Sequence, residues 1–384
     1  MSLNNEIRLQ KSIKWLETAN KITNEKGFSI GFDIRKGWRA PYSETTGYII
    51  PTFYKYAQLY NSIIHAKIAT KAADWLIENQ NIDGSINDFI GSNKKYFVRS
   101  PVVFNTGQDL FGLISAYNYT SENKYLIAAK NAAYWIISKQ NIDGSWSDDT
   151  SFGSSIFAAY YAHVSWPLLL IGKQLNDNYI IESANKAMDL ILNNVNNNLS
   201  INNWGFNINK PAYTHTIAYT IEGILEQGLL NGGTNSEAFQ VAKKIALYTI
   251  TLLNRDGKFA GAYDTNWEGD FTYTCLPGNC QFSIIYLRLF FLTKENIFLQ
   301  AAVKSMQPVF KSQHISIYCP TAIYGTIPAS SPIIFGKYMR WLYPNWAAKY
   351  FADCLMLLEL LTSTDDVSPQ QYNLITKLLN DFPG

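Results

Sequence analysis

The chain carries little charge for its size. Lys, Arg, Asp and Glu make up 16% of 384 residues and leave a formal net charge of +2, with no basic block anywhere. A nucleic-acid partner requires a clustered Lys/Arg face, so that class is set aside. Long apolar runs are missing as well. The amino end, MSLNNEIRLQKSIKWLETAN, has no apolar stretch of signal-peptide length, and nowhere do the roughly 18 uncharged apolar residues of a membrane span occur together. The expectation is a soluble, cytoplasmic protein without a membrane span. Cysteine is scarce too, and four in a chain this long do not make a disulfide framework. Cys275 and Cys280, in TCLPGNC, have a spacing that suits a metal, but no His lies near them in sequence. Structural thiols are expected there, with no metal and no cofactor.

What is present is apolar material, 47% of the residues, enough for a large core. It is organised as a repeat. QNIDGS occurs at Gln80 to Ser85 and again 60 residues later at Gln140 to Ser145, with Trp75 and Trp135 each five residues ahead. A third copy, VAKKIALYTITLLNRDGKF, runs from Val241 to Phe259 and puts Asp256-Gly257 where the second has Asp143-Gly144. Before the motif, Ala129, Ala132, Ala133, Ile136 and Ile137 recur at helical spacing. The Asp-Gly then supplies the left-handed position that ends a helix.

Between these helices lies a second, charge-poor set, read as Thr46 to Tyr60, Thr106 to Tyr119, Ser155 to Gly172, Thr216 to Gly228, Asn279 to Thr293 and Asn345 to Leu361. Its partners are Ile63 to Asn79, Asn123 to Lys139, Tyr179 to Asn194, Ser236 to Asn254, Glu295 to Ser312 and Ser368 to Leu379, with one more helix near Asn5 to Thr23. Six hairpins without polar end repeats predict a closed all-α ring, an (α/α)₆ toroid, as one domain over residues 1–384. Charge-poor helices form its inner ring and amphipathic ones its outer ring.

The two kinds of connection differ. Inner-to-outer links such as YTSEN are short, whereas outer-to-inner links such as FSIGFDIRKGWRAPYSETTG and GAYDTNWEGDFTYTCLPGN are long and rich in Trp, Tyr, Gly and charge. All six long loops then open at one rim, where binding and catalysis are expected. Six helix N-termini gather there and favour an anionic ligand.

Titratable groups at that rim nominate catalytic residues. Glu44, in PYSETTGY, sits at an inner-helix start; His215, Tyr219 and Glu222 fall on one face of THTIAYTIEG; and Asp264 stands among aromatics in GAYDTNWEGD. Asp148 and Asp149, after the second QNIDGS turn, read as solvated or capping groups. Substrate contacts are expected from Trp38, Arg39, Tyr42, Arg99, Gln108, Asp109, Trp204, Trp267, Lys337 and Tyr343. Aromatic faces with nearby polar groups suit sugar rings, and Arg or Lys suits a uronate or phosphate.

Two resemblances follow from these residues. AAYWIISKQNIDGSW is similar to the QW repeat of terpene cyclases and prenyltransferases, but the acidic DxDD motif those cyclases need is replaced by SDDTS, so their activity is not implied. GWRAPYSETTGYIIPT, THTIAYTIEGILE, YTCLPGNCQFSIIYLRL and YPNWAAKYFADCLM resemble the VpsJ-like family of exopolysaccharide gene clusters. That resemblance implies a toroid and a role in making or trimming a surface polysaccharide. Ser43 departs from the family's PYPETTGY form and Cys280 from its GNAQ. The main expectation is an enzyme on an acidic or lipid-linked glycan, a glycoside hydrolase or a uronate lyase or epimerase. The alternatives are a prenyl-chain-handling toroid and a non-catalytic glycan-binding protein. The oligomeric state stays open.

Overall fold

Helices buried on every side need side chains without charge, and helices buried on one side need a single apolar stripe. The chain alternates the two. In a computed structural model, which describes residues 3–146, 157–208, 210–362 and 369–384, the inner helices are α2 (Ser43–Leu59), α4 (Val103–Thr120), α6 (Ala162–Leu175), α8 (Thr214–Gly232), α10 (Leu276–Thr293) and α12 (Asn345–Thr362). α4 is buried without a break from Val103 to Ala116 and α8 from Thr214 to Leu225. The outer helices are α1 (Leu3–Lys21), α3 (Ile63–Glu78), α5 (Asn123–Ser138), α7 (Asn178–Leu192), α9 (Glu237–Leu252) and α11 (Asn296–Ser312). In α3 the buried stripe is Ala66, Ala69, Ala72, Ala73, Trp75 and Leu76, whose small members let the helix lie close to the inner ring. Each inner helix packs on the next and α12 packs back on α2, which closes the toroid. The expected start at Ser155 lies outside the described residues, as do Asp148 and Asp149; a 3₁₀ turn at Ala159–Tyr161 leads into α6.

The sixth pair corrects the expected order. Consecutive hairpins would set the last helix, α13 (Pro369–Asp381), beside α12, but α1 holds that place. Ser12 Oγ donates to Ala348 O on α12 (3.0 Å), Arg8 donates to Phe310 O on α11 (3.0 Å), and His65 Nε2 on α3 lies 3.1 Å from Glu17. The reason is the width of the apolar face. α1 buries Leu9, Ile13, Leu16 and Ala19, a stripe that can meet neighbours on both sides, whereas α13 buries only Ile375 and Leu378. α13 instead crosses the far end of the ring, where Lys55 donates to the carbonyl of Gly384 (3.0 Å).

The repeated turn fastens α3, α5 and α9 each to the next outer helix. Gly84, Gly144 and Gly257 all have positive φ, and a Cβ on them would lie 2.2, 2.7 and 1.9 Å from the carbonyls of Asn131 on α5, Lys186 on α7 and Lys304 on α11. Gln80 and Gln140 add the same bridge, donating to Ala128 O (2.9 Å) and Ser183 O (3.0 Å). Gly325, after α11, meets Lys11 O of α1 in this way at 2.3 Å, so α1 is docked like any other outer helix.

The long loops lace together over one end of the ring. β1 (Gly31–Asp33) pairs with β2 (Gly37–Trp38) in its own loop and with β9 (Leu342–Pro344) in the loop before α12. β3 (Asp88–Gly91) and β4 (Tyr96–Arg99) form a hairpin before α4, joined to the first loop through Arg39 and Ser92. β5 (Ala212–Tyr213) pairs with β6 (Ala262–Tyr263), and β7 (Thr274–Cys275) with β8 (Ser330–Ser331). Five of the six long loops are therefore tied edge to edge among the described residues. No described helix is long and apolar enough to cross a membrane.

Replacing Gly325 by Ala forces a side chain into a left-handed position against a backbone oxygen and is expected to lower stability by about 1–3 kcal/mol. Ile82→Ala, a fully exposed site in a QNIDGS turn, is expected to stay within about 0.5 kcal/mol of the parent. Urea unfolding midpoints measure both, and an unchanged midpoint for Gly325→Ala would show that this turn does not hold α1.

Candidate active site

Inner-helix starts project their first side chains into the mouth of the ring. There they surround a cavity with about 70 Å³ of free space whose walls are aromatic, with Tyr42, Tyr48, Phe104, Phe206, Tyr219, Tyr338 and Trp346, and whose titratable groups are Glu44, Arg99 and His215. Four different inner helices and four rim loops supply these residues.

Glu44 is the exceptional group. It sits in the first turn of α2, and burial pushes its carboxyl up to about 7, with nearby Asp88 adding in the same direction against the opposing pull of Tyr42 and Arg99. Tyr42 Oη donates to Glu44 Oε2 at 2.7 Å, which leaves Oε1 as the oxygen to carry the proton. Beside it, Asp88 on β3 is ion-paired with Arg99 on β4 and accepts from Asn105 Nδ2 at 2.8 Å. Burial raises Asp88 to about 6 in spite of Arg99. Asp109, one turn into α4, is completely buried with neither carboxyl oxygen hydrogen-bonded; burial, and then the charges of Asp88 and Glu44, hold it well above the carboxylate range. It is a neutral carboxylic acid behind the wall.

Across the cavity, His215 Nδ1 lies 2.5 Å from Gln281 Oε1, and burial drives its pKa down to about 3, so the ring is neutral. Tyr219, one turn on, has its hydroxyl pushed well above 10, chiefly by burial and then by Glu44. The expected stack therefore divides. His215 and Tyr219 line the cavity, while Glu222 lies a turn deeper, 3.6 Å from His163 Nε2, and faces a second cavity at the far end.

A plug of paired charges fills the lumen between the two. Lys349 Nζ sits over the ring of Tyr350 (3.9 Å) and pairs with Asp353 (3.0 Å), which accepts from Thr52 Oγ1 (3.0 Å) and faces Lys55 (3.8 Å). Buried ions persist only when paired in this way. The far cavity, with about 40 Å³ of free space and covered by α13, shares no lining residue with the mouth cavity. The mouth cavity is blind.

Of the expected substrate contacts, Tyr42 and Arg99 line this cavity and the others do not. Gln108 is spent on His163, donating to its carbonyl (2.9 Å) and meeting its Nδ1 (2.7 Å). Trp38 packs on Trp15 (5.3 Å), Arg39 donates to Gly91 O (3.1 Å), Lys337 pairs with Asp270 (2.6 Å), and Tyr343 Oη meets His314 (3.0 Å). Trp204 and Trp267 pack on each other at 5.0 Å. Loops of this length need interiors of their own, and their tryptophans provide them. Asp264 also lies away from the cavity: its Oδ1 accepts from the amides of Asn266 (2.9 Å) and Glu268 (2.8 Å) and holds its own turn. Cys275 and Cys280 are buried free thiols, and no three described His, Cys, Asp or Glu side chains converge on a metal position.

Sequence reasoning passes over Asp88, His163, Lys349 and Asp353. The last two had a signal. In NWAAKYFADCLM the only charges are four residues apart on an otherwise apolar helix, the spacing of a pair buried on one face. Asp88 and Phe206 come from loops, where no periodicity exists to read.

No family model matches the chain, and no curated protein does. Solved structures match over nearly its whole length. An unsaturated glucuronyl hydrolase specific for heparin superposes with a TM-score of 0.70 at 13% identity, covering 94% of this chain and 99% of that one. An unsaturated glucuronyl hydrolase from Bacillus sp. GL1 gives 0.69 at 14%, covering 92% and 96%. A possible member of the GH105 family from Salmonella enterica gives 0.66 at 16%, covering 92% and 93%. At such identities the likeness is one of fold, the α/α toroid.

Because Glu44 holds its proton more tightly folded than unfolded, it favours the folded state below about pH 4.5 and loses that advantage as pH rises through 7. Glu44→Gln removes this dependence. Relative to the parent, the variant is expected to gain about 3 kcal/mol between pH 4.5 and pH 8 in urea unfolding. A difference constant with pH would show that Glu44 is not held neutral.

Proposed function

We propose that the chain is a glycoside hydrolase acting on an acidic oligosaccharide, with Glu44 as its general acid. The observation that carries this reading is a carboxyl protonated up to about pH 7 in the wall of a blind aromatic cavity that also contains Arg99. Glycosidic cleavage requires a proton on the departing oxygen, and a group titrating near neutrality both holds and releases one. Oε1 of Glu44 delivers it. The ring faces of Tyr338, Trp346 and Phe206 offer surfaces for the C–H faces of a sugar. Arg99, about one-third exposed and engaged by Asp88 on one side, offers its remaining donors to a sugar carboxylate.

Elimination or epimerisation is less well served. Those reactions need a base to take a proton beside a carboxylate, and the candidates are poor ones: His215 titrates near 3 and Tyr219 well above 10. The fold points the same way, since the superposing structures are unsaturated glucuronyl hydrolases, one of them complexed with a sulfated disaccharide, dGlcA-GalNAc6S. The VpsJ-like motifs support a place in the metabolism of a surface polysaccharide. A prenyl-handling toroid would keep Arg99 out of its cavity, and here Arg99 lines it.

The test is incubation with a panel of acidic oligosaccharides, including unsaturated glucuronyl disaccharides, while following reducing ends, unsaturated-uronate absorbance and deuterium uptake at C5. New reducing ends are expected, at a rate that falls as pH rises through about 7. Glu44→Gln is expected to lower kcat by about 10²–10⁴. Arg99→Leu is expected to raise KM for acidic substrates more than for neutral ones. Rising unsaturated-uronate absorbance or C5 exchange without hydrolysis would replace this reading, and silence on every substrate would remove it.

A further inference from the structure

Beside the mouth cavity, at the same rim, lies an open groove of about 620 Å³ between the loop before α8 and the turn after β6. We propose that this groove is a second glycan subsite, taking the sugars that adjoin the one held at Glu44 in an acidic chain. The inference rests on the hydrolase reading above.

Three observations carry it. The groove is pre-built. Asn198 Nδ2 donates to Thr265 O (2.7 Å), Trp267 Nε1 donates to Asn198 O (2.9 Å), and β5 pairs with β6, so its two walls are one rigid unit over the Trp204–Trp267 contact. Its lining is carbohydrate-like chemistry in reverse: Asn203 and Asn207 offer an amide donor and acceptor each, and Thr265 a hydroxyl. Asp264 offers its Oδ2, since Oδ1 is spent on the turn. Lys210 is exposed and has no acidic partner among the described residues, which suits the carboxylate of a uronate. Finally, the groove is next to the cavity. Gly205 and Asn207 line the one while Phe206, between them, lines the other, so the loop before α8 borders both spaces. The groove also accounts for Asp264 and Trp204, which the sequence singles out and the central cavity does not use.

The experiment uses Glu44→Gln protein, which does not consume its ligand, and calorimetric titration with a disaccharide and a tetrasaccharide of one uronate polymer. The tetrasaccharide is expected to bind at least about tenfold tighter than the disaccharide, the worth of one charge-assisted hydrogen bond. Adding Lys210→Ala and Asn207→Ala is expected to abolish that gain while leaving disaccharide affinity and circular dichroism unchanged. Equal affinity for both lengths, or a gain that survives in the triple variant, overturns the subsite. Parallel turnover with wild-type protein separates the two claims. Disaccharide hydrolysis without a length effect removes the subsite and keeps the hydrolase, and absence of both binding and hydrolysis removes both.

Discussion

A ring of six helix pairs holds only if its first and last pairs meet, and here the meeting is made by α1 on α12. The chain's amino-terminal helix completes the outer ring between α11 and α3, so the toroid is sealed by contacts between opposite ends of the sequence, such as Ser12 with Ala348. Everything at the mouth depends on that seal. β1 and β9, which come from opposite ends of the chain, pair only because the ring has closed beneath them, and Ile30 beside β1 is part of the cavity wall. The glycine turns distribute the same constraint around the circumference. Each lets one backbone approach the next outer helix to a distance no side chain would allow.

The mouth then concentrates acid groups in a place that resists charge. The charge of Asp88 raises both Glu44 and Asp109, and that of Glu44 raises Asp109 further, yet only Asp88 is ion-paired. Burial acts on all three, and the difference among them is local. Arg99, the Phe89 amide and Asn105 pull Asp88 down to about 6, Tyr42 and Arg99 pull Glu44 down to about 7, and Asp109, with no partner, is held well above the carboxylate range.

The ring was legible because its signals are local. Charge-poor and striped helices alternate along the chain, and the described starts of α2, α4, α8, α10 and α12 fall within three residues of their sequence-based positions. The pairing of α1 with α12 was not legible, since no local pattern says which apolar faces meet across a closure. The site divides on the same line. Glu44, His215 and Tyr219 are placed by their positions in inner helices, so their convergence follows once the ring is drawn. Trp38, Trp204, Trp267 and Asp264 sit in loops, and the features that drew attention to them, aromatic bulk and an isolated carboxylate, serve loop cores and turns equally well.

The plug of Lys349 and Asp353 has a mechanical meaning. Each ion is compensated by the other, and separating them would leave a bare charge in the lumen, so this layer cannot swing aside as a gate. A ring of helices might be threaded like a bead; this one cannot. Whatever occupies the mouth then enters and leaves by the same opening.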